Sequence, residues 1–316
     1  MVSASDRIKR KALDLGFTNV GIARAEPLNE EAKRLQEWLS RGYQGTMEWM
    51  TKSVEKRTDA SNIVPDARSV ICVALNYYTP AEHSNKENVG KISRYAWGDD
   101  YHDILTENLK LLWTWMQHEF PGVDGRYYVD TGPVMEKVWA QRAGIGWIAK
   151  HTNVITQDHG SWVFLGEIIT TLELEYDSPA MDHCGDCTLC IQACPTGAIV
   201  EPYVVDSNRC ISYLTIEHRG EIVGEVTNHF EKWIYGCDIC QDVCPWNEKF
   251  STVTNEEGFK PREGNTAPAL AAWKEMSQEE FARKFKSSPI KRTKREGLVR
   301  NVNIVLQHSN SNNKLR

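Results

Sequence analysis

The chain has 316 residues, 41% of them hydrophobic and 25% charged, with a formal net charge of −6. This is globular composition rather than disordered, and it is enough chain for two or three domains. The acidic balance argues against a nucleic-acid binder as a whole. No apolar run approaches the ~20 residues of a membrane helix, and no apolar signal segment opens the chain, so a cytoplasmic protein with no membrane partner is expected.

In chain order, residues 5–15 read as a helix ended by Gly16. A strand over 19–23 and a charged amphipathic helix over 29–41 follow. Ser69–Tyr77 has the length and β-branching of a buried strand, with Cys72 inside it. A long helix spans 100–120 and stops at Pro121-Gly122. A short strand at 126–129 precedes a helix over 133–142 with proline in its first turn. Residues 162–174 read as strands around Gly166. The fold class is therefore α+β, opening with a mixed α/β domain over 1–177. Residues 178–250 form a cysteine-rich module. Residues 251–316 form a short helical segment: a linker or ordered loop, then helices over 269–286 and 293–307, then polar residues 309–316 expected to fray.

Eight of the nine cysteines lie between Cys184 and Cys244. Cys184, Cys187, Cys190 and Cys194, followed by Pro195, make the C-x2-C-x2-C-x3-C-P run of bacterial ferredoxins. Three thiolates on a tight loop reach one cubane, and the fourth, a helical turn on, points to a second. Cys237, Cys240 and Cys244-Pro245 repeat the ending without the opening cysteine, and Cys210 upstream supplies the missing ligand. The crossover rule gives a ferredoxin-like domain with two [4Fe–4S] clusters. Cys184, Cys187, Cys190 and Cys244 hold one, and Cys194, Cys210, Cys237 and Cys240 hold the other. Disulfides do not suit a chain without a signal segment. Structural zinc fits C-x2-C pairs but not two C-x3-C-P endings. Two clusters with crossed ligands form a short electron wire, which implies a redox acceptor elsewhere in the chain.

No Gly-x-Gly-x-x-Gly follows a strand and no Walker motif appears. The nearest string to a base-off cobalamin signature, Asp100-Tyr-His102-Asp-Ile-Leu105, lacks its glycine. Near the C-terminus, Arg283, Lys284, Lys286, Lys291, Arg292, Lys294, Arg295 and Arg300 cluster with only Glu296 opposing them. A solvated helix face explains this as well as a binding surface does.

Several strings together resemble the epoxyqueuosine reductases of queuosine biosynthesis. They are Ile92-Ser-Arg-Tyr-Ala-Trp-Gly-Asp-Asp-Tyr-His102, Val129-Asp-Thr-Gly-Pro133, Gly144-Ile-Gly-Trp-Ile-Ala-Lys-His-Thr152, Gly160-Ser-Trp-Val-Phe-Leu-Gly-Glu167 and Arg209-Cys-Ile-Ser-Tyr-Leu-Thr-Ile-Glu-His-Arg219, besides the cysteines. The resemblance implies a cobalamin, base-off, in the N-terminal domain, reduced one electron at a time by the clusters. It implies a tRNA substrate with epoxyqueuosine at the wobble position. Asp130, in the family's Val-Asp-Thr-Gly-Pro string, becomes the candidate acid for the opened epoxide. This role requires burial to raise its pKa. An aspartate in that position also caps the following helix. Tyr101 is a second candidate. Arg57, Asp130, His151, Val154, Leu165, Ser212 and Arg219 are the implied cobalamin contacts, with a core histidine and a surface ion pair as alternatives for His151 and Arg219. The basic group, Lys291, Arg292, Lys294 and Arg295 above all, is expected to meet anticodon-loop phosphates. The family's usual further helices lie beyond the point where this chain ends. A flavodoxin- or ferredoxin-type electron donor and a monomeric state complete the expectation. A plain iron–sulfur electron carrier and a cobalamin-dependent reductive dehalogenase are the competing readings.

Overall fold

Ser69–Asn76 is buried along its whole length, because it lies inside a four-stranded antiparallel sheet. With β1 as Asn19–Arg24, β2 as Ser69–Asn76, β3 as Gly125–Tyr128 and β4 as Val163–Thr170, the spatial order is β1-β2-β4-β3. The computed structural model describes residues 2–313. The two-residue period of β2 divides its side chains between two cores. Ile71, Val73 and Leu75 pack under helices α1 (Ala4–Asp14) and α2 (Tyr101–Glu119), through Ile8, Ala12, Leu105, Leu109 and Met116. Val70, Cys72 and Ala74 face helix α3 (Glu136–Arg142), through Val138, Trp139 and Ala140. Cys72 is thus the strand residue its surroundings suggested. β4 runs unbroken through Gly166, where a Cβ would stand 2.9 Å from Leu109. The glycine lets α2 seat against the sheet.

Two helices differ from expectation. α3 starts at Glu136 rather than Pro133, with Met135 at its N-cap and no side-chain cap. Residues 129–135 therefore form a loop, with Asp130 in the left-handed region at φ 57°. The expected 269–286 helix is two, α4 (Leu270–Lys274) and α5 (Gln278–Lys284). Ser277 breaks it by starting a new helix: its side chain accepts from the Glu280 N–H, while Glu280 accepts from the Ser277 N–H.

Residues 251–267 are ordered. The Thr254 N–H donates to Tyr78 O at 2.8 Å, and Phe259 is buried in the core of the sheet. The last helix, α6 (Lys294–Asn313), is built into the molecule. Its Leu298, Val302 and Val305 pack with Trp273, Phe281 and Phe285 onto Ile92, Trp97 and Ile234. The buried Asn301 side chain donates to Thr215 O and Ile234 O at 2.8 and 2.9 Å. The helix includes the first of the polar residues expected to fray. Residues 314–316 lie outside the described residues. Among those described, no helix is long and apolar enough to cross a membrane.

Candidate active site

None of the nine cysteines is in a disulfide. Their mutual electrostatics sort them into groups. Burial and the neighbouring Cys184, Cys244 and Cys187 thiols push Cys190 up to about 11, and Cys187 is felt by Cys244. Burial, then Cys210, Cys194 and Cys190 among its neighbours, raise Cys240 well above the ordinary thiol value. Cys210 and Cys240 likewise raise the buried Cys237. Cys190 thus neighbours Cys184, Cys187 and Cys244, and Cys240 neighbours Cys210, Cys194 and Cys190. Among the described residues no three His, Cys, Asp or Glu side chains are placed to hold a single metal ion. Donors of one kind, in two fours on loops held from outside, fit two [4Fe–4S] clusters.

The family-like strings hold those loops. Buried Lys150 donates from Nζ to Gly185 O and Cys187 O at 2.6 and 2.9 Å, pinning the first cysteine loop. Fully buried Asp238, between Cys237 and Cys240, accepts from Ser93 Oγ and from the Arg94 N–H at 2.7 Å. Ser161 Oγ donates to Gln241 Oε1 at 2.9 Å, and its N–H donates to Asn247 Oδ1 at 2.6 Å. Gly160 before it has φ 63°, and a Cβ there would fall 2.1 Å from Asn247 Oδ1. Only glycine permits that approach.

A cavity of about 440 Å³ opens between the sheet domain and the cysteine module. Cys194, Cys210, Cys237 and Cys240, one whole ligand set, line one side. Cys184, Cys187, Cys190 and Cys244 are not among its lining residues, and Cys187 is exposed. Asp130, His151, Val154, Leu165 and Ser212 line the cavity as expected, with Tyr101. Two expected contacts do not. Arg57 is half-buried, 3.4 Å from Trp49 O. Arg219 spends its guanidinium on Ile216 O and Arg292 O at 2.7 and 3.0 Å. These backbone bonds, rather than a surface ion pair, account for it.

Asp130 caps no helix. Its Oδ2 accepts from Tyr101 Oη at 3.1 Å and lies 3.2 Å from His102 Nε2, and its N–H donates to Glu136 Oε1 at 2.7 Å. Its side chain is 55% exposed because the cavity admits solvent to it. Desolvation raises its pKa, but the His102 hydrogen bond and charge, the Tyr101 hydroxyl and Arg292 outweigh this. The carboxyl is held below its ordinary value. Burial therefore does not win, and Asp130 rests as a carboxylate. Desolvation lowers His102, but Asp100 and Asp130 more than restore it, so the ring is held above its ordinary value. Burial and the Asp130 carboxylate push Glu136 up to about 7.

His151 is buried, and its Nδ1 accepts the Asn153 N–H at 3.2 Å. Its Nε2 then carries the ring proton and has no partner. Burial pulls it down to about 4, so it is neutral. This is an orphaned donor on a cavity wall, not a satisfied core histidine. Both nitrogens of His102 are engaged, so the Asp100-Tyr-His102 string offers no free metal ligand.

Of the basic group, Lys291 and Lys294 are exposed. Arg295 is half-buried and donates to Met276 O. Arg292 is half-buried against His102. Arg300 is committed internally, to the carbonyls of His218, Gly220 and Leu214 at 2.7–2.9 Å, and is no phosphate contact. Sequence reasoning missed His102, Glu136 and Lys150. Each sits within or beside a quoted string, but nothing in spacing tells which member faces a cavity.

The family model described as epoxyqueuosine reductase QueG, DUF1730 matches residues 57–131, and the 4Fe-4S double cluster binding domain matches residues 183–247. The epoxyqueuosine reductase of Synechocystis sp. is 50% identical over 280 residues, covering 88% of this chain and 96% of its own. That of Atelocyanobacterium thalassa is 48% identical over 305 residues, covering 96% and 99%. These curated relatives thus match over nearly their whole length, with no large further segment. A solved epoxyqueuosine reductase with a tRNA-Tyr epoxyqueuosine-modified stem loop matches with TM-score 0.89 at 33% identity, covering 96% of this chain and 81% of that one. The Bacillus subtilis enzyme, TM-score 0.89 and 31% identical over 96% of this chain and 81% of its own, has been solved with a catalytic aspartate loop swung out of its active site.

Proposed function

The chain belongs to the epoxyqueuosine reductase family, and from that premise we propose how its residues reduce epoxyqueuosine in tRNA to queuosine. Family membership decides against a plain iron–sulfur carrier and against a dehalogenase. The observation that carries the assignment of parts is the make-up of the cavity, with one complete cysteine set on one wall and Asp130 facing it.

The residues fit a cobalamin. The unpartnered His151 Nε2–H suits an amide carbonyl at a corrin rim, and Val154 and Leu165 give an apolar wall with backbone groups. Ser212 adds a hydroxyl. Bound there, base-off, cobalamin supplies a reduced cobalt centre able to open the epoxide. Cys194, Cys210, Cys237 and Cys240 would hold the inner cluster, which would supply single electrons at the cavity. The cluster of Cys184, Cys187, Cys190 and Cys244 is the outer one. A flavodoxin- or ferredoxin-type donor meets the surface at Cys187.

Converting the epoxide to the alkene breaks two C–O bonds, consumes two electrons and two protons, and releases water. Asp130 is the residue that gives a proton to the departing oxygen. Because it rests ionised, that proton comes to it from His102 through the Nε2···Oδ2 contact. A relay replaces the simple buried acid. The mobile aspartate loop of the Bacillus subtilis enzyme accords with the loop 129–135 here.

Lys291, Arg292, Lys294 and Arg295 lie on the turn and helix start beside this network and position the anticodon loop through its phosphates. The wobble base leaves its stack to enter the cavity, which a single-stranded loop makes cheap. Residues 1–177, 178–250 and 251–316 divide the labour as corrin domain, electron module and RNA-contact segment within a monomer.

The test is anaerobic turnover of the cluster- and cobalamin-loaded protein, with a strong reductant and an anticodon stem–loop carrying epoxyqueuosine. Cobalamin-dependent loss of one oxygen mass from the nucleoside is expected. No conversion with both cofactors present by absorbance overturns the reading.

A further inference from the structure

Nδ1 of His102 has two claimants. Asp100 Oδ1 lies 2.9 Å away and Arg292 Nη2 lies 2.7 Å away. One nitrogen cannot serve both. A protonated Nδ1 donates to Asp100 and meets Arg292 donor to donor. A bare Nδ1 accepts from Arg292 and meets the Asp100 carboxylate lone pair to lone pair. On the other side of the ring, Nε2 faces Asp130 in either case. The position of the Arg292 guanidinium therefore shifts the balance between a ring with one proton and a ring with two.

Arg292 is lightly held. Beyond His102 its side chain has a 3.5 Å ion pair with Asp100 Oδ2 and a distant place over the Tyr101 ring. It remains 36% exposed and is flanked by exposed Lys291 and Lys294. Its backbone, by contrast, is fixed by the Arg219 guanidinium on its carbonyl. The side chain can leave while the turn stays. A phosphate offers a guanidinium a bidentate charge-assisted site that a neutral imidazole nitrogen cannot match.

We propose that Arg292 is a phosphate-operated gate: an anticodon-loop phosphate draws its guanidinium off His102, and the ring then takes up a second proton from solvent and holds it against Asp130. This deepens, and rests on, the assignment of the basic turn to tRNA. The charged and titratable groups facing the ring are Asp100 at the start of α2, Asp130 and Glu136 from the loop and α3, and Arg292 from the turn. The Tyr101 ring lies against the imidazole at 3.9 Å between centroids, tilted by 43°. Removing Arg292 leaves three carboxyl groups and no cation beside the imidazole, so protonation follows. The proton passes from Nε2 to Asp130 and on to the alkoxide oxygen, one of the two the reaction consumes; the clusters' reductant supplies the two electrons. His102 and Arg292 are positioning residues in this scheme. Proton delivery is armed by correctly seated RNA, which limits unproductive reduction in its absence.

By linkage, a ligand that raises proton affinity is bound with proton uptake. Isothermal titration of the cluster-loaded protein with an unmodified anticodon stem–loop, in buffers of different ionisation enthalpy across pH 6–9, measures that uptake without any turnover. Wild type should take up a proton fraction that peaks above the ordinary imidazole range. His102→Gln and Arg292→Met, each with cluster absorbance intact, should bind RNA with no such uptake. Lys291→Ala should bind more weakly with uptake per bound RNA unchanged. Binding without uptake, or uptake that survives His102→Gln, overturns the gate alone. Absence of RNA binding overturns the gate together with the assigned RNA surface.

Discussion

Asp130→Asn removes the one group at the cavity that bridges the His102 proton and the substrate oxygen. The amide keeps the shape. Its Oδ1 can still accept from Tyr101 or His102, and the backbone N–H that donates to Glu136 is untouched. The loop should therefore hold and the clusters should load normally, because no cysteine or loop-pinning residue contacts Asp130. An amide cannot accept a proton and give it up at neutral pH, so general acid catalysis is lost at this position. That contribution is roughly 10²- to 10⁴-fold in rate, or about 2.7–5.4 kcal/mol at 1.36 kcal/mol per decade. The assay is single-turnover reduction of an epoxyqueuosine stem–loop by the anaerobically reduced protein, with iron content and RNA affinity measured on the same sample. The expected result is a loss of that size in the rate constant, with RNA affinity changed only slightly. Full cofactor loading with a rate close to wild type would refute the relay, and a matching loss in iron content would reassign Asp130 to structure.

The same network gives a pH dependence of stability. His102 is held above its ordinary 6.5, so its contribution is fully present below that value and fades as pH rises through the folded pKa. Asp130 is held below its ordinary 3.8, so its contribution is present above 3.8 and fades as pH falls through the folded pKa. Melting temperature against pH should show both slopes in wild type, and His102→Gln should lose the alkaline one. Lys150→Met removes the two hydrogen bonds from the charged Nζ to the Gly185 and Cys187 carbonyls; it should speed loss of iron from the outer cluster on exposure to air, and unchanged iron release would remove Lys150 from the loop's support. Ser161→Ala keeps the backbone bond to Asn247 but removes the hydroxyl that donates to Gln241 Oε1 and accepts from Asn247 Nδ2, and should lower stability by roughly 1–3 kcal/mol, read from denaturant midpoints under anaerobic conditions. Lys291→Ala should reduce the slope of log affinity against log salt by about 0.7. Arg300→Ala should leave that slope unchanged and destabilise the fold instead, because its guanidinium serves three carbonyls.

The double-cluster domain was legible because ligand spacing is local. Each four is nearly fixed by two loops and one upstream residue, and the crossover follows from the helical turn before Cys194 and Cys244. The core strand was legible because seven apolar or small residues in a row, Ser69 to Leu75, leave no polar face. The loop 129–135 was not. Pro133 permits a first helical turn, and only the Asp130 backbone in the left-handed region, tied to Glu136, delays the helix by three residues. The break at Ser277 was missed although its capping box is written in the sequence, because the apolar period continues across it. The contact of Arg292 with His102 was not legible for a different reason. A basic run shows charge but not which of its members turns inward, and that depends on His102 and Asp100, almost two hundred residues earlier.

The division of the basic segment also bears on how the enzyme joins recognition to chemistry. A surface made only of exposed lysines would hold RNA without informing the active site. Here the turn that carries Lys291 also carries Arg292, and the Arg219 guanidinium fixes the turn's backbone to the helix that follows Cys210, a ligand of the inner cluster. The phosphate-facing turn, the proton relay and the inner cluster are thus joined through a few hydrogen bonds across three segments distant in sequence. Such a junction is a physical route for RNA seating to change both protonation and the electron-delivering wall. Its strength can be measured. If the parts are coupled, the Arg292→Met and Asp130→Asn effects on single-turnover rate should not add, since loss of the relay leaves the gate nothing to arm. Strict additivity would mean that Arg292 acts on RNA affinity alone.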